Sequence, residues 1–74
     1  MDVRQADRIA DSLEEIVFAG EFEQGHRLDE ARLAKAFCVS RTPVREALHL
    51  LVSADLAKQL PRRGVFVQHA NETR

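Results

Sequence analysis

Three stretches of the chain repeat their apolar residues every three or four positions, the spacing that places them on one face of a helix. The first stretch contains Ala6, Ile9, Ala10, Leu13, Ile16 and Val17. The second contains Leu33, Ala34 and Phe37, and the third contains Val44, Ala47, Leu48 and Leu51. The pattern predicts three amphipathic helices, the third running from residue 41 to about residue 54.

Residues that favour helix ends lie beside these stretches. Gly20 marks the end of the first helix, and a connector over residues 21–27 follows it. Asp29 is placed to cap the second helix and Ser40 the third, because both side chains can accept a hydrogen bond from a first-turn amide. Pro43 fits the first turn of the third helix, where its missing N–H costs nothing.

After residue 55 the apolar pattern changes from helical to strand-like. Two short runs, 56–60 and 65–68, flank the sequence Pro-Arg-Arg-Gly at 61–64. This arrangement predicts a β-hairpin with a basic tip. Three helices followed by a hairpin form a winged helix-turn-helix, mainly α with a small β-hairpin. We expect residues 1–69 to form this domain and residues 70–74 to be a tail or the start of a linker.

Length and composition exclude several classes of protein. The 74 residues are near the lower limit for folding on a hydrophobic core alone, and 45 % apolar with 31 % charged residues is typical of a globular chain. No apolar run approaches the roughly 18 residues of a membrane span. The single cysteine, Cys38, cannot form an internal disulfide, which indicates a reducing cytoplasm. No phosphate loop, nucleophile–base pair or metal-ligand spacing is present, so we expect no enzyme activity, cofactor or metal.

Charge is divided unevenly along the chain. Residues 1–30 hold three Arg against nine Asp and Glu, a balance of −6. Residues 31–74 hold eight Lys and Arg against three acidic residues, a balance of +5. This asymmetry indicates that one face of the protein meets a polyanion. Chance partitioning of surface charge is the alternative interpretation.

The third helix carries the side chains that could read DNA. A turn of about three residues makes the second and third helices cross steeply, so the third can enter a major groove. Thr42, Arg45 and His49 lie opposite its apolar face, and Arg41 lies at the edge of that set. Arg can pair with guanine or phosphate, and Thr can reach phosphate or a thymine methyl group. The alternative is an ordinary helix with a solvated basic face.

The hairpin tip adds a second basic element. Arg62, Arg63 and Gly64 lie where a turn could approach the DNA backbone or enter a minor groove. A charged tip that only keeps the hairpin soluble is the alternative. A winged helix can also serve as a protein-interaction module, in which the third helix or the wing docks a partner. Such a module would expose apolar residues there, whereas this chain places basic residues on both elements.

Residues 33–48, Leu-Ala-Lys-Ala-Phe-Cys-Val-Ser-Arg-Thr-Pro-Val-Arg-Glu-Ala-Leu, strongly resemble the DNA-binding domain of the GntR family of bacterial transcription regulators. The run Gly-Val-Phe-Val at 64–67 resembles the wing of that family, and the FadR-like (FCD) subfamily is the most similar. The resemblance covers residues 6–69. It implies recognition of double-stranded operator DNA by a homodimeric regulator. It also implies a C-terminal domain, absent from this chain, that binds a small-molecule effector, so we expect the chain to be a fragment.

Carried over residue by residue, the DNA contacts of the family fall on Ser40, Arg41, Thr42, Arg45, Arg62, Arg63 and Gly64. The sequence departs from the family pattern at three positions. Ala31 stands where many relatives have an arginine that touches DNA, so we expect that contact to be lost. Cys38 replaces the usual glycine of the inter-helix turn and is expected to adopt a positive φ. Asp55 replaces a glycine after the recognition helix, so we expect that helix end to be capped differently.

Overall fold

The computed structural model describes residues 3–68, which form three helices and a three-stranded antiparallel sheet. The elements are α1 (Val3–Phe18), β1 (Arg27–Leu28), α2 (Glu30–Phe37), α3 (Arg41–Ser53), β2 (Ala57–Leu60) and β3 (Gly64–Val67). The predicted fold, three helices followed by a hairpin wing, is confirmed. The predicted tail at 70–74 and the domain boundary at residue 69 lie outside the described residues.

The core forms where the apolar faces of the three helices meet one side of the sheet. Its fully or almost fully buried members are Ile9, Ala10, Leu13, Val17, Leu28, Ala34, Val44, Ala47, Leu48, Leu51, Leu56, Ala57 and Val67. The helical faces predicted from the apolar spacing are therefore the faces that pack. Ile16 and Leu33 are only partly buried, because they lie at the margins of those faces.

All three helices end in the same backbone arrangement, a Schellman motif. In each, the residue after the last turn has a left-handed φ: 77° at Gly20, 59° at Cys38 and 64° at Asp55. The amides of this residue and of the next one donate to carbonyl groups of the last turn. The pairs are Gly20–Val17 and Glu21–Ile16, then Cys38–Lys35 and Val39–Ala34, then Asp55–Val52 and Leu56–Leu51.

This arrangement confirms one expectation and overturns another. Cys38 adopts the positive φ that its place in the turn was expected to require. The expectation that α3 ends differently was wrong, because Asp55 itself takes the left-handed conformation and completes the same motif. Aspartate is among the residues that tolerate this conformation best, since its short polar side chain can bond locally.

Both predicted N-cap residues occupy the N-cap position, but only one of them makes a capping hydrogen bond. Asp29 caps α2, because its Oδ1 accepts a hydrogen bond of 3.0 Å from the amide of Arg32. Ser40 occupies the N-cap position of α3, but its side chain makes no capping hydrogen bond. A usual partner of an N-cap side chain is the amide of the third helical residue, which here is Pro43 and has no N–H. The Ser40 side chain is therefore left exposed.

The connector predicted over residues 21–27 contributes a strand that the sequence pattern does not show. Arg27 and Leu28 form β1, which pairs with Phe66 and Val65 of β3. A strand of two residues is too short to display alternating burial, so only its pairing partner defines it. The sheet order is β1-β3-β2, which makes β3 the central strand and ties the wing to the helical body.

We expect Cys38→Gly to stabilise the domain, because glycine has no Cβ penalty at a φ of 59°. The strain relieved is about 1 kcal/mol, which corresponds to a rise in Tm of about 4–8 °C for a domain of this size. DNA affinity of the reduced protein should not change. The matched control is Gly20→Ala, where an added Cβ meets nothing within 4 Å and only backbone strain lowers Tm. An unchanged or lower Tm for Cys38→Gly in thermal denaturation would contradict the assignment of strain.

Candidate nucleic-acid interface

Helix α3 separates a buried stripe from an exposed one. Its buried side chains are Pro43, Val44, Ala47, Leu48 and Leu51. Its exposed side chains include Arg41, Thr42, Arg45 and His49. This agrees with the prediction that Thr42, Arg45 and His49 lie opposite the apolar face and Arg41 at the edge of that set. Because the buried stripe fixes the rotation of the helix, the exposed stripe faces away from the protein as one surface. We call Ser40, Arg41, Thr42, Arg45 and His49 the recognition stripe.

The start of α3 offers further hydrogen-bond donors to a ligand outside the protein. The amides of the first turn have no partners within the helix, and Pro43 removes one of them. The Ser40 hydroxyl beside them is exposed and takes no part in capping. Amides and a hydroxyl grouped at a helix N-terminus favour an anionic partner such as phosphate.

Within the recognition stripe, the Arg45 guanidinium is held by a carboxylate from another helix. Its Nε donates to Oε2 of Glu30 at 3.1 Å, and its Nη2 donates to Oε1 at 3.1 Å. The Nε atom of Arg41 lies 3.9 Å from Oε1 of the same carboxylate. Glu30 is the first residue of α2, so this contact joins the beginnings of α2 and α3. The sequence pattern does not mark Glu30, which lies 15 residues before its partner.

The contact changes the ionisation of both groups. The hydrogen bond from Arg45 lowers the pKa of Glu30 below its ordinary value, and the charge of Arg45 adds to this effect. The same hydrogen bond raises the pKa of Arg45. The pKa of Asp29 is also lowered, chiefly because its carboxylate accepts the backbone hydrogen bond from Arg32. All of these groups are therefore charged at neutral pH.

The wing tip consists of Pro61, Arg62 and Arg63. The amide of Arg63 donates to the carbonyl of Leu60 at 3.1 Å, which closes the turn. Pro61 takes the second position of this turn, and Arg62 takes the third with a φ of 64°, as a type II turn requires. Both arginine side chains are exposed, in agreement with the predicted basic tip.

Gly64 was predicted to lie at the wing tip but begins β3 instead, where it pairs with Leu60. The turn uses residues 61–63, so Gly64 is already part of the ladder. Its φ is 114°, and a Cβ at this position would lie 3.2 Å from Nε of Arg27. Glycine is needed here both for its backbone conformation and for the close approach of that guanidinium.

A groove of about 200 Å³ separates the beginning of α3 from the sheet. Arg27, Glu30, Arg41, Gln59 and Gly64 are among the residues that line it. Two of them, Arg27 and Glu30, come from the acidic first part of the chain and were not singled out by the sequence pattern. The groove therefore combines residues from the acidic and from the basic part of the chain.

Other sequence-based expectations concern residues outside this groove. Ala31 is exposed on α2, and the loss of a DNA contact at this position stays a prediction. His26 stacks on Phe22 with ring centroids 4.7 Å apart. Within residues 3–68, no three His, Cys, Asp or Glu side chains are grouped to hold a metal ion. No helix in the same range is long and apolar enough to cross a membrane.

A helix-turn-helix with an exposed arginine-bearing third helix and a basic wing defines the class of winged-helix DNA-binding domains. The sequence profile described as "Bacterial regulatory proteins, gntR family" matches residues 5–67. The chain therefore belongs to the GntR family and is a DNA-binding domain of that family.

Individual relatives agree with this assignment. The chain is 44 % identical over 55 residues to the uncharacterized HTH-type transcriptional regulator YdhC of Bacillus subtilis, covering 74 % of this chain and 25 % of the relative. It is 42 % identical over 60 residues to the gluconate operon transcriptional repressor of Bacillus licheniformis, and the match covers 81 % of this chain and 24 % of that relative. A solved structure of a transcriptional regulator, GntR, from Rhodococcus sp. RHA1 matches with a TM-score of 0.85 and 37 % identity. The match covers 88 % of this chain and 31 % of that chain.

These relatives are transcription regulators, which confirms the expectation that the domain is not an enzyme. The chain spans about a quarter of the length of the curated relatives it matches. The part matched is the DNA-binding fold just described.

The Glu30–Arg45 pair predicts a pH-dependent contribution to stability. Because the pKa of Glu30 is lower in the folded than in the unfolded protein, the contribution is complete above its ordinary value of 4.5 and disappears as the pH falls. Glu30→Gln should therefore lower Tm slightly at neutral pH, and the difference from the wild type should shrink in acid. The effect is small because exposed ion pairs contribute little.

A double-mutant cycle with Arg45→Ala checks that the effect belongs to this pair. Thermal unfolding of both single variants and the double variant should show that the second change adds little to the first. Fully additive losses, or a Tm difference that persists in acid, would show that the pair does not contribute as described.

Proposed function

We propose that this chain is the sequence-specific operator-binding domain of a bacterial transcription regulator, with α3 in the major groove and the wing at the minor groove. The recognition stripe carries this proposal. Its hydrogen-bonding side chains lie on one exposed face of a helix whose other face is buried in the core. An α-helix of this kind fits the width of the major groove of B-DNA.

Each part of the interface has a chemical role in the proposal. Ser40, Thr42 and the first amides of α3 bind phosphate and set the position of the helix. Arg41, Arg45 and His49 extend toward the groove, where arginine can form two parallel hydrogen bonds with guanine. These roles use donors that the fold leaves exposed.

The wing completes the proposed interface. Arg62 and Arg63 lie on an exposed turn, where charge can follow the phosphate backbone without the fixed geometry that base recognition needs. Gly64 lies at the base of this turn, beside the groove shared with Arg41. The absence of a side chain there leaves room for the Arg27 guanidinium beside the same groove.

The remaining expectations belong to a longer regulator of which this chain forms part. We assign it to the FadR-like subfamily on the strength of the motif at residues 39–48. In that regulator a C-terminal domain forms the homodimer and binds a small-molecule effector, and the protein acts in the cytoplasm, where bacterial DNA lies. The coverage of about a quarter of each curated relative leaves room for such a domain.

A protein-interaction module is the competing function. It would expose apolar side chains on α3 or the wing, as protein interfaces are enriched in aromatic and aliphatic anchors at their centres. Leu50 is the exposed large apolar residue of α3, with 42 % of its surface accessible. The recognition stripe and the wing tip instead present arginine, histidine and hydroxyl groups, which favours nucleic acid.

Binding to duplex DNA should depend strongly on salt although the pI is about 6.3. Each phosphate neutralised by the protein lowers log K by about 0.9 per unit of log[salt]. We expect a linear decrease in a fluorescence anisotropy titration, with weak absolute affinity because one domain engages one half-site. Binding without a salt slope would contradict the proposed contacts to the DNA backbone.

Arg45 and Arg62 should differ in what they contribute to binding. Arg45→Ala should reduce the preference for operator over a half-site mutant by roughly 5- to 100-fold, the range expected when a bidentate base contact is lost. Arg62→Ala should lower the affinity for both duplexes equally and reduce the slope of log K against log[salt] by about 1. Isotherms at two salt concentrations distinguish these effects.

Arg8→Ala, which removes one positive charge from the exposed face of α1, is the control for net charge. Arg8→Ala should change the operator preference less than Arg45→Ala does, and the salt slope less than Arg62→Ala does. If Arg45→Ala keeps the full operator preference, Arg45 binds phosphate, and base recognition rests on Thr42, His49 or the wing.

A further inference from the structure

Glu30 is the one carboxylate that the described structure hydrogen-bonds to the recognition stripe. Its side chain is 26 % exposed, half the value of 53 % for its partner Arg45. Helices α2 and α3 are joined by residues 38–40 alone, so the distance between the two side chains is set by a short turn with a defined backbone. The Glu30–Arg45 contact is therefore a fixed feature of the surface that faces DNA in the proposed function.

The hydrogen bonds to Glu30 use only one edge of the Arg45 guanidinium. A guanidinium has five N–H donors, and Glu30 accepts one from Nε and one from Nη2. The two donors of Nη1 and the second donor of Nη2 remain, and one donor from each of these two nitrogen atoms lies on the edge that joins Nη1 to Nη2. This edge can donate two parallel hydrogen bonds to O6 and N7 of guanine.

We propose that Glu30 is a positioning residue for DNA recognition, which holds Arg45 so that its Nη1–Nη2 edge binds a guanine in the major groove. The inference rests on the proposed function and deepens it. It names guanine as the base that Arg45 binds and Glu30 as the residue that orients Arg45. An arginine held before binding loses less rotamer freedom when it reaches a base. A carboxylate beside DNA also repels phosphate, so Glu30 favours specificity over general affinity.

The position of Arg41 is consistent with a division of roles. Its Nε lies 3.9 Å from Glu30, beyond hydrogen-bond distance, so the carboxylate orients Arg45 and leaves all donors of Arg41 for DNA. Arg41 is in the first turn of α3, and Arg45 lies one turn further along. Glu30 therefore acts mainly through Arg45.

The test is in vitro selection of duplexes from a randomised library at low salt, using the wild-type chain and four variants. Arg45→Ala identifies the base pair that Arg45 reads, because the guanine preference at that position should disappear. Glu30→Gln should reduce the preference at the same position by about tenfold, while affinity for unrelated duplex DNA stays the same or increases. Binding isotherms on the selected duplex and on a duplex with that guanine replaced measure the ratio of the two affinities, which is the guanine preference.

Two further variants separate charge from geometry. Glu46→Gln removes the same charge from an exposed position on α3 next to Arg45 and should leave the guanine preference intact. Glu30→Asp keeps the charge but is one methylene too short to bond both nitrogen atoms, so it should lower the preference as Glu30→Gln does. Circular dichroism and thermal unfolding establish that each variant is folded at the assay temperature.

Two results would overturn the inference. If Glu30→Gln tightens binding to every duplex but keeps the guanine ratio, Glu30 only repels DNA or withholds Arg45. If it weakens every duplex equally and keeps the ratio, Glu30 has a purely structural role. A wild-type chain that selects no sequence at all would instead refute the proposed function, so the two failures are distinguishable.

Discussion

The burial of one stripe of α3 is the constraint on which the rest of this small structure depends. Val44, Ala47, Leu48 and Leu51 are almost completely inaccessible, and they pack against α1 and the sheet. In a chain of this length the surface buried on folding is limited, so the loss of this stripe would remove a large part of the core. Because a helix cannot rotate without exposing its buried stripe, the same packing that stabilises the fold also directs the recognition stripe outward.

Short turns fix how the other elements are placed relative to α3. Each helix ends in a Schellman motif, and two of the three left-handed positions are occupied by Cys38 and Asp55 rather than by glycine. The strain at Cys38 is the cost of joining α2 to α3 through residues 38–40 alone. Across this turn, Glu30 of α2 lies within hydrogen-bond distance of Arg45 of α3.

The surface proposed to meet DNA is thus assembled from parts of the chain with opposite net charge. Arg27 and Glu30 come from an acidic first part, and the recognition stripe and wing from a basic second part. A net charge of −1 therefore does not conflict with membership of a DNA-binding family, since local charge and geometry determine a contact with phosphate. In the interface that we propose, the acidic residue among the arginines limits general attraction to DNA and favours a defined orientation of Arg45.

The sequence by itself determined the three helices, their buried faces, the cap at Asp29 and the hairpin, because these features follow from local periodicity and turn chemistry. The positive φ at Cys38 was expected from the family resemblance, since Cys38 stands where relatives have a glycine. Only the tertiary structure decided the strand at Arg27–Leu28, the place of Gly64 in β3 and the pairing of Glu30 with Arg45. The strand and the Glu30–Arg45 pair depend on contacts between residues that are far apart in the sequence. The place of Gly64 depends on the length of the hairpin turn, which the sequence pattern left open. The Ser40 cap failed for a local reason, since Pro43 has no amide hydrogen to donate.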